Sequence, residues 1–120
     1  MAKDNLIQNK SFQFSLDIIK LYKELMSKRE YDIARQVLRS GTSIGANVEE
    51  AIGAQSKRDF LAKISISLKE ARETHYWLRL LKQSNMLDSK FFFLLDDNFS
   101  IINIISSIVK TLKEQLNYNK

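Results

Sequence analysis

The chain reads as all-α, an antiparallel up-down-up-down four-helix bundle in one domain, and three observations point there. Its 120 residues contain no proline, so nothing in them imposes the missing amide and ring clash that break a helix. All three glycines fall at Gly41, Gly45 and Gly53, which leaves the remainder to residues with ordinary or good helix propensity. Apolar residues recur three or four apart in four stretches separated by short polar breaks, the rhythm of helices burying one face against each other. Short connections make consecutive helices antiparallel neighbours.

The first helix is expected over about 11–28. Phe12, Leu16, Ile19, Tyr22 and Met26 share one face, and Phe14, Ile18, Leu21 and Leu25 share a second. A helix apolar on two faces needs cover on both. Residues 1–8 hold no apolar core of signal-peptide length; they read as a frayed start to a cytoplasmic protein. Lys28, Arg29 and Glu30 make a polar connection to the second helix, expected over about 31–52 and closed by Gly53 as a left-handed terminus.

That second helix contains the anomaly of the chain. Each interior glycine costs about 1 kcal/mol relative to alanine, so Gly41 and Gly45 need a compensating contact. Four residues apart, they share a face; with Ser40, Ser43 and Ala46 they form a small-residue stripe beside Ile44, Val48 and Ile52. The rhythm Val37, Ile44, Val48, Ala51 crosses the segment without changing phase, which favours one continuous helix. A loop over Ser40 to Gly45 is the competing reading.

Ser56, with Asp59 three residues on, resembles a capping box that opens a third helix over about 56–84. Its seam reads Phe60, Ile64, Ser67, Ala71, Thr74, Leu78, Leu81, small or polar in the middle. Folding the second helix back about Ala54 and Gln55 sets Ser43 near Ser67, Ser40 near Glu70 and Gln36 near Thr74. The small stripe then meets the small stretch, and this close packing is the expected compensation for the glycines. Asn85 and the Asp88–Ser89 pair mark the turn and cap of a fourth helix over about 89–116. Its apolar run is interrupted by Asp96, Asp97, Asn98 and Asn103, short of the roughly 20 uninterrupted residues a membrane span needs. It reads as a buried helix, with no membrane as partner.

Composition narrows the function classes. With 44% apolar and 28% charged residues the chain is ordinary globular material. The absence of cysteine excludes disulfide scaffolds and cysteine zinc sites. His75 is the only histidine, so no histidine pair and no Glu-x-x-His pair exists to hold metals in a bundle core, and it reads as structural. The glycines follow no strand and carry no Gly-Lys-Ser tail, so no phosphate-cradling loop is expected. No catalytic residue, metal or cofactor emerges, and the protein is expected not to be an enzyme. Glu50 and Glu70 are expected to be satisfied by Ser40, Asn47, Arg39 or Arg35 across the small-residue seam, as buried carboxylates require; ligand binding is the alternative.

The net charge is +5, and residues 56–83 hold seven basic and three acidic side chains. Arg58, Arg72 and Arg79 recur at intervals of seven or fourteen along one line of the third helix, with Lys69 and Tyr76 on the adjoining line. Such a stripe suits a phosphate backbone with one base stacked on the ring. The competing reading is a solvated face, with Lys69 paired to Glu73. Ile66, Trp77 and Leu80 project away from the seam. Together with Ile101, Ile104 and Ile108 of the apolar fourth helix they exceed what one core can bury, which points to a subunit interface.

Ser43-Ile44-Gly45-Ala46-Asn47-Val48-Glu49-Glu50, then Gly53, Ser56 and Phe60, then Ser67-Leu68-Lys69-Glu70, resemble the four-helix-bundle family encoded in intervening sequences of bacterial 23S rRNA genes. The resemblance runs from about residue 12 to about residue 112. Many members carry proline where this chain has Gly45 and glycine where it has Ala51. The resemblance implies a helix-packing signature in Asn47, Glu50 and Glu70 alongside the small residues. Through a related accessory protein of diversity-generating retroelements, which resembles a five-fold barrel, it implies a homo-oligomer of five subunits engaging RNA or DNA and a partner protein. The expected function is a non-enzymatic, RNA-associated accessory or adaptor. Its rival is a structural or protein-interaction module whose basic surface is incidental.

Overall fold

The computed structural model describes residues 2–118, with four α-helices: α1 (Ala2–Ser27), α2 (Tyr31–Ile52), α3 (Lys57–Gln83) and α4 (Phe93–Tyr118). A single 3-10 turn, Ser89–Phe91, precedes α4, and no strand occurs among the described residues. The helices form a bundle 52 Å long and 23 Å across. α2 packs on α1 and α3, and α4 packs on α3 and α1.

α1 starts well before residue 11. Ile7 and Ser11 are buried on the same line as Phe14, Ile18, Leu21 and Leu25, so tertiary burial extends a helix whose first turns carry little apolar signal of their own. α2 runs unbroken through Gly41 and Gly45, which removes the loop reading. Its terminus is not the expected one: Gly53 has φ −82°, outside the left-handed region. The left-handed residues are Arg29 (φ 63°) and Asn85 (φ 62°), following α1 and α3. Each lets the next amide reach back to the preceding helix, Glu30 N–H to the Leu25 carbonyl at 2.9 Å and Met86 N–H to that of Leu81 at 2.8 Å. These are the long bonds of a Schellman closure.

The Ser56 hydroxyl accepts the Asp59 amide at 3.0 Å and starts α3. The cap before α4 stops short of an α-helix: the Asp88 carboxylate accepts the Lys90 amide at 3.0 Å and closes only the 3-10 turn. Lys90 then reaches Glu24 of α1 at 2.7 Å, and this carboxylate holds the Lys90 ammonium above its ordinary pKa. The segment Ser89–Asn117 is long and apolar enough to cross a membrane by length and composition, contrary to the expectation that its polar residues disqualify it. In the bundle its inner line, Leu94, Asn98, Ile101, Ile105 and Val109, is buried in the core.

The glycines are compensated by a different helix from the one expected. A Cβ on Gly41 would lie 2.9 Å from both Cγ atoms of Ile18, and one on Gly45 would lie 3.3 Å from the Ser11 carbonyl oxygen and the Ser15 hydroxyl. Both glycines therefore face α1. The α3 side of α2 lies one residue round the helix, where the Ser67 hydroxyl donates to the Ile44 carbonyl at 2.8 Å and the Thr74 hydroxyl donates to Ser40 Oγ at 2.9 Å. Consecutive residues are about 100° apart on a helix, so positions 41 and 45 address one neighbour while 40 and 44 address another. Gln36, expected opposite Thr74, is exposed.

Ile18 is fully buried and β-branched, so its Cγ atoms cannot swing away cheaply. Gly41→Ala should therefore lower unfolding free energy by about 1–3 kcal/mol despite alanine's better helix propensity. Gly53→Ala, whose Cβ would meet nothing closer than 3.8 Å, should leave the denaturation midpoint nearly unchanged. Equal midpoints for the two variants in urea would refute the close α1–α2 contact.

Candidate nucleic-acid interface

Burial of Ile64, Ser67, Ala71, Thr74, Leu78 and Leu81 fixes the rotation of α3. Arg58, Lys69, Arg72, Tyr76 and Arg79 consequently fall on its solvent side, and all five are exposed. From Arg58 to Arg79 the line extends about 32 Å at the helical rise.

The charge of this face depends on where the α3 carboxylates point. Glu70 and Glu73 turn toward α2, where Arg39 spans both: its Nη1 lies 3.4 Å from Glu70, and its Nη2 pairs with Glu73. Glu73 also accepts the Trp77 indole N–H at 3.0 Å. The expected Lys69–Glu73 pair is therefore absent, because the guanidinium and the indole draw the carboxylate to the α2 side. Among the described residues no carboxylate lies within ion-pair distance of Arg58, Lys69, Arg72 or Arg79. Tyr76 stands among these cations, 52% exposed, in edge-to-face contact with Trp77 at 5.3 Å between ring centres.

The small-residue signature divides by depth. Ser40, Gly41, Ile44, Gly45 and Ser67 are buried, while Ser43 and Asn47 are half-buried and bond within α2, Ser43 to the Arg39 carbonyl at 2.6 Å and Asn47 to that of Ser43 at 2.8 Å. Glu70 has the Arg39 partner expected of it. Glu50 does not sit in the seam: it is exposed, because it lies one residue off the buried line of Val48 and Ala51. Arg35, offered as its partner, pairs with Asp32 at 3.7 Å.

The anticipated interface residues separate as well. Ile66 and Leu80 are exposed, Trp77 and Ile104 are partly buried against the core, and Ile101 and Ile108 are buried within a single copy. One core takes more of α4 than composition suggested, because the inner line of α4 lies against both α3 and α1. Beside Ile66 and Leu80 of α3 and Phe93 and Phe99 of α4, apolar surface is uncovered as a stripe on α1: Phe12 is 63% exposed, Leu16 41% and Ile19 36%. These side chains border a groove of about 350 Å³ against Thr42, Gly45, Ala46 and Glu49 of α2. The two-faced pattern of α1 carried that signal in the sequence.

Asn98, which the sequence offered only as an interruption of an apolar run, is a fully buried donor, its Nδ2 2.9 Å from the Ala71 carbonyl. Asn98 Oδ1 and His75 Nδ1 are buried with no hydrogen-bond partner among the described residues. Among those residues no group of three or more His, Asp or Glu side chains is arranged to hold a metal ion.

A family model described as 23S rRNA-intervening sequence protein matches residues 3–111. The crystal structure of a protein with unknown function from the S23 ribosomal protein family of Bacteroides thetaiotaomicron is 43% identical, with a TM-score of 0.85. The match covers 90% of this chain and 98% of that one. Comparison with curated proteins gives no match.

Arg39 is half exposed, whereas the Glu70 side chain retains 12% exposure. Arg39→Ala should cost about 1 kcal/mol, the upper range for an exposed pair, because it leaves a largely buried carboxylate without its cation. It should also shift the emission of Trp77, whose acceptor Glu73 loses its anchor. An unchanged melting temperature together with unchanged emission would show the cluster to be loose in solution.

Proposed function

Since the chain belongs to the 23S rRNA-intervening sequence protein family, we propose that it is a non-enzymatic, self-assembling, RNA-associated accessory protein of the cytoplasm. The observation that carries this reading is the absence, among the described residues, of ion pairs along the outer face of α3. Four cations and a tyrosine stand there while the neighbouring glutamates are held by Arg39. Unneutralised arginines and lysines bind a phosphate backbone by releasing its counterions. An ordinary solvated helix face would instead interleave charges of both signs.

The helix order that supports this display is antiparallel, up-down-up-down. Gln8 near the start of α1 bonds Glu49 near the end of α2 at 3.1 Å, Ser67 meets Ile44, Asn98 meets Ala71, and Lys90 meets Glu24. Self-assembly is supported by the uncovered Phe12, Leu16 and Ile19 stripe, which is unusual on a monomer surface, and the family resemblance favours a five-subunit ring. Repetition of a modest basic stripe around a ring would raise its avidity for one long polyanion. The α1–α2 groove favours a second reading, a protein-interaction module in which nucleic acid plays no part.

RNA binding to the wild type should weaken linearly in log–log form with salt. Arg58, Arg72 and Arg79 changed together to Gln should flatten that slope by about one unit per lost contact, with mass and melting temperature unchanged. Wild type that binds no RNA at low salt would favour the interaction-module reading. Light scattering should give an oligomer mass, with Leu16→Lys lowering it; a monomeric wild type at tens of micromolar would refute assembly.

A further inference from the structure

Resting on the RNA-binding reading, we infer that Tyr76 is a stacking platform for one unpaired base, so that the preferred ligand of the α3 face is single-stranded RNA and not a duplex. Tyr76 is the one exposed aromatic on the cationic line, with over half of its surface in solvent. Its ring does not hang freely. It meets the Trp77 ring at 65° and 5.3 Å; the indole N–H is bonded to Glu73; and Glu73 is held by Arg39 of α2. A chain of contacts reaching into the neighbouring helix thus orients the platform before a ligand arrives, which lowers the ordering cost of binding.

Arg72 lies four residues before Tyr76 and Arg79 three after it, so both share its face within one helical turn. A strand crossing here can set a base on the tyrosine and its flanking phosphates on the two guanidinium groups. A base inside a duplex has both faces covered by its neighbours and cannot use the ring; it reaches only the charges. Stacking on an exposed aromatic tolerates any base, because every base has a π-face.

The test compares a labelled oligoadenylate single strand with an adenine–uracil duplex of equal length, binding to the full chain at low salt. Tyr76→Leu keeps an apolar side chain without a π-face, and Tyr76→Phe keeps the ring. Tyr76→Leu should weaken the single strand roughly tenfold, leave duplex affinity and both salt slopes unchanged, and be rescued by Tyr76→Phe. Trp77, the only tryptophan of the chain, should report single-strand binding through its emission. Unaltered single-strand affinity in Tyr76→Leu, or equal losses for strand and duplex, would overturn the stacking role while leaving phosphate binding intact. Wild type that binds neither probe would overturn the underlying RNA reading as well.

Discussion

The approach of α1 to α2 at Gly41 and Gly45 is the constraint on which the other contacts depend. With Ile18 against one missing Cβ and the Ser11 backbone against the other, any side chain there would push the helices apart. The close fit fixes the rotation of α2 about its own axis. Once position 41 faces α1, positions 40 and 44 face α3, so a serine hydroxyl and a backbone carbonyl are presented to Thr74 and Ser67. Arg39, one residue further round, emerges at the rim of that seam, where it reaches Glu70 and Glu73. The cations on the far side of α3, without carboxylate partners among the described residues, are the last link of this sequence of contacts.

The seam between α2, α3 and α4 is held in part by buried polar contacts. Ser40, Ser67, Thr74 and Asn98 are fully buried, and each has a protein partner. Such bonds contribute only about 1 kcal/mol each to net stability, but leaving one of the groups unpaired would cost about 1–3 kcal/mol. Their main effect is therefore on register: sliding α3 or α4 by one turn would strand several buried groups at once. An apolar seam of equal volume would tolerate such a slip more readily.

Much of this was legible in the chain. Helix number, the small-residue line and the outward line of Arg58, Lys69, Arg72, Tyr76 and Arg79 all follow from periodicity, because a helix repeats its faces at a known angle; the capping serine before α3 follows from its spacing to Asp59. The early start of α1 was not legible, since Ile7 gains its stabilisation from distant helices and not from its own turn. Nor was the Asn98 bond to the Ala71 carbonyl, where a polar residue in an apolar run looks like an interruption until a carbonyl is placed opposite it.

Sequence by itself thus determined that there are four helices, where they run, apart from the starts of α1 and α4, and which residues share a face, because these are local properties of backbone propensity and 3.6-residue periodicity. Only the tertiary structure decided which neighbour each face meets. Positions 40 and 41 differ by one step in sequence yet address different helices, so the glycines pack on α1 and not on α3. The same holds for charge: Lys69 and Glu73 have the spacing of an ion pair, but the carboxylate is taken by Arg39 across the seam and by the Trp77 indole of its own helix. Local spacing names the partners a side chain can reach within its own helix, and packing supplies the competing partner that takes it.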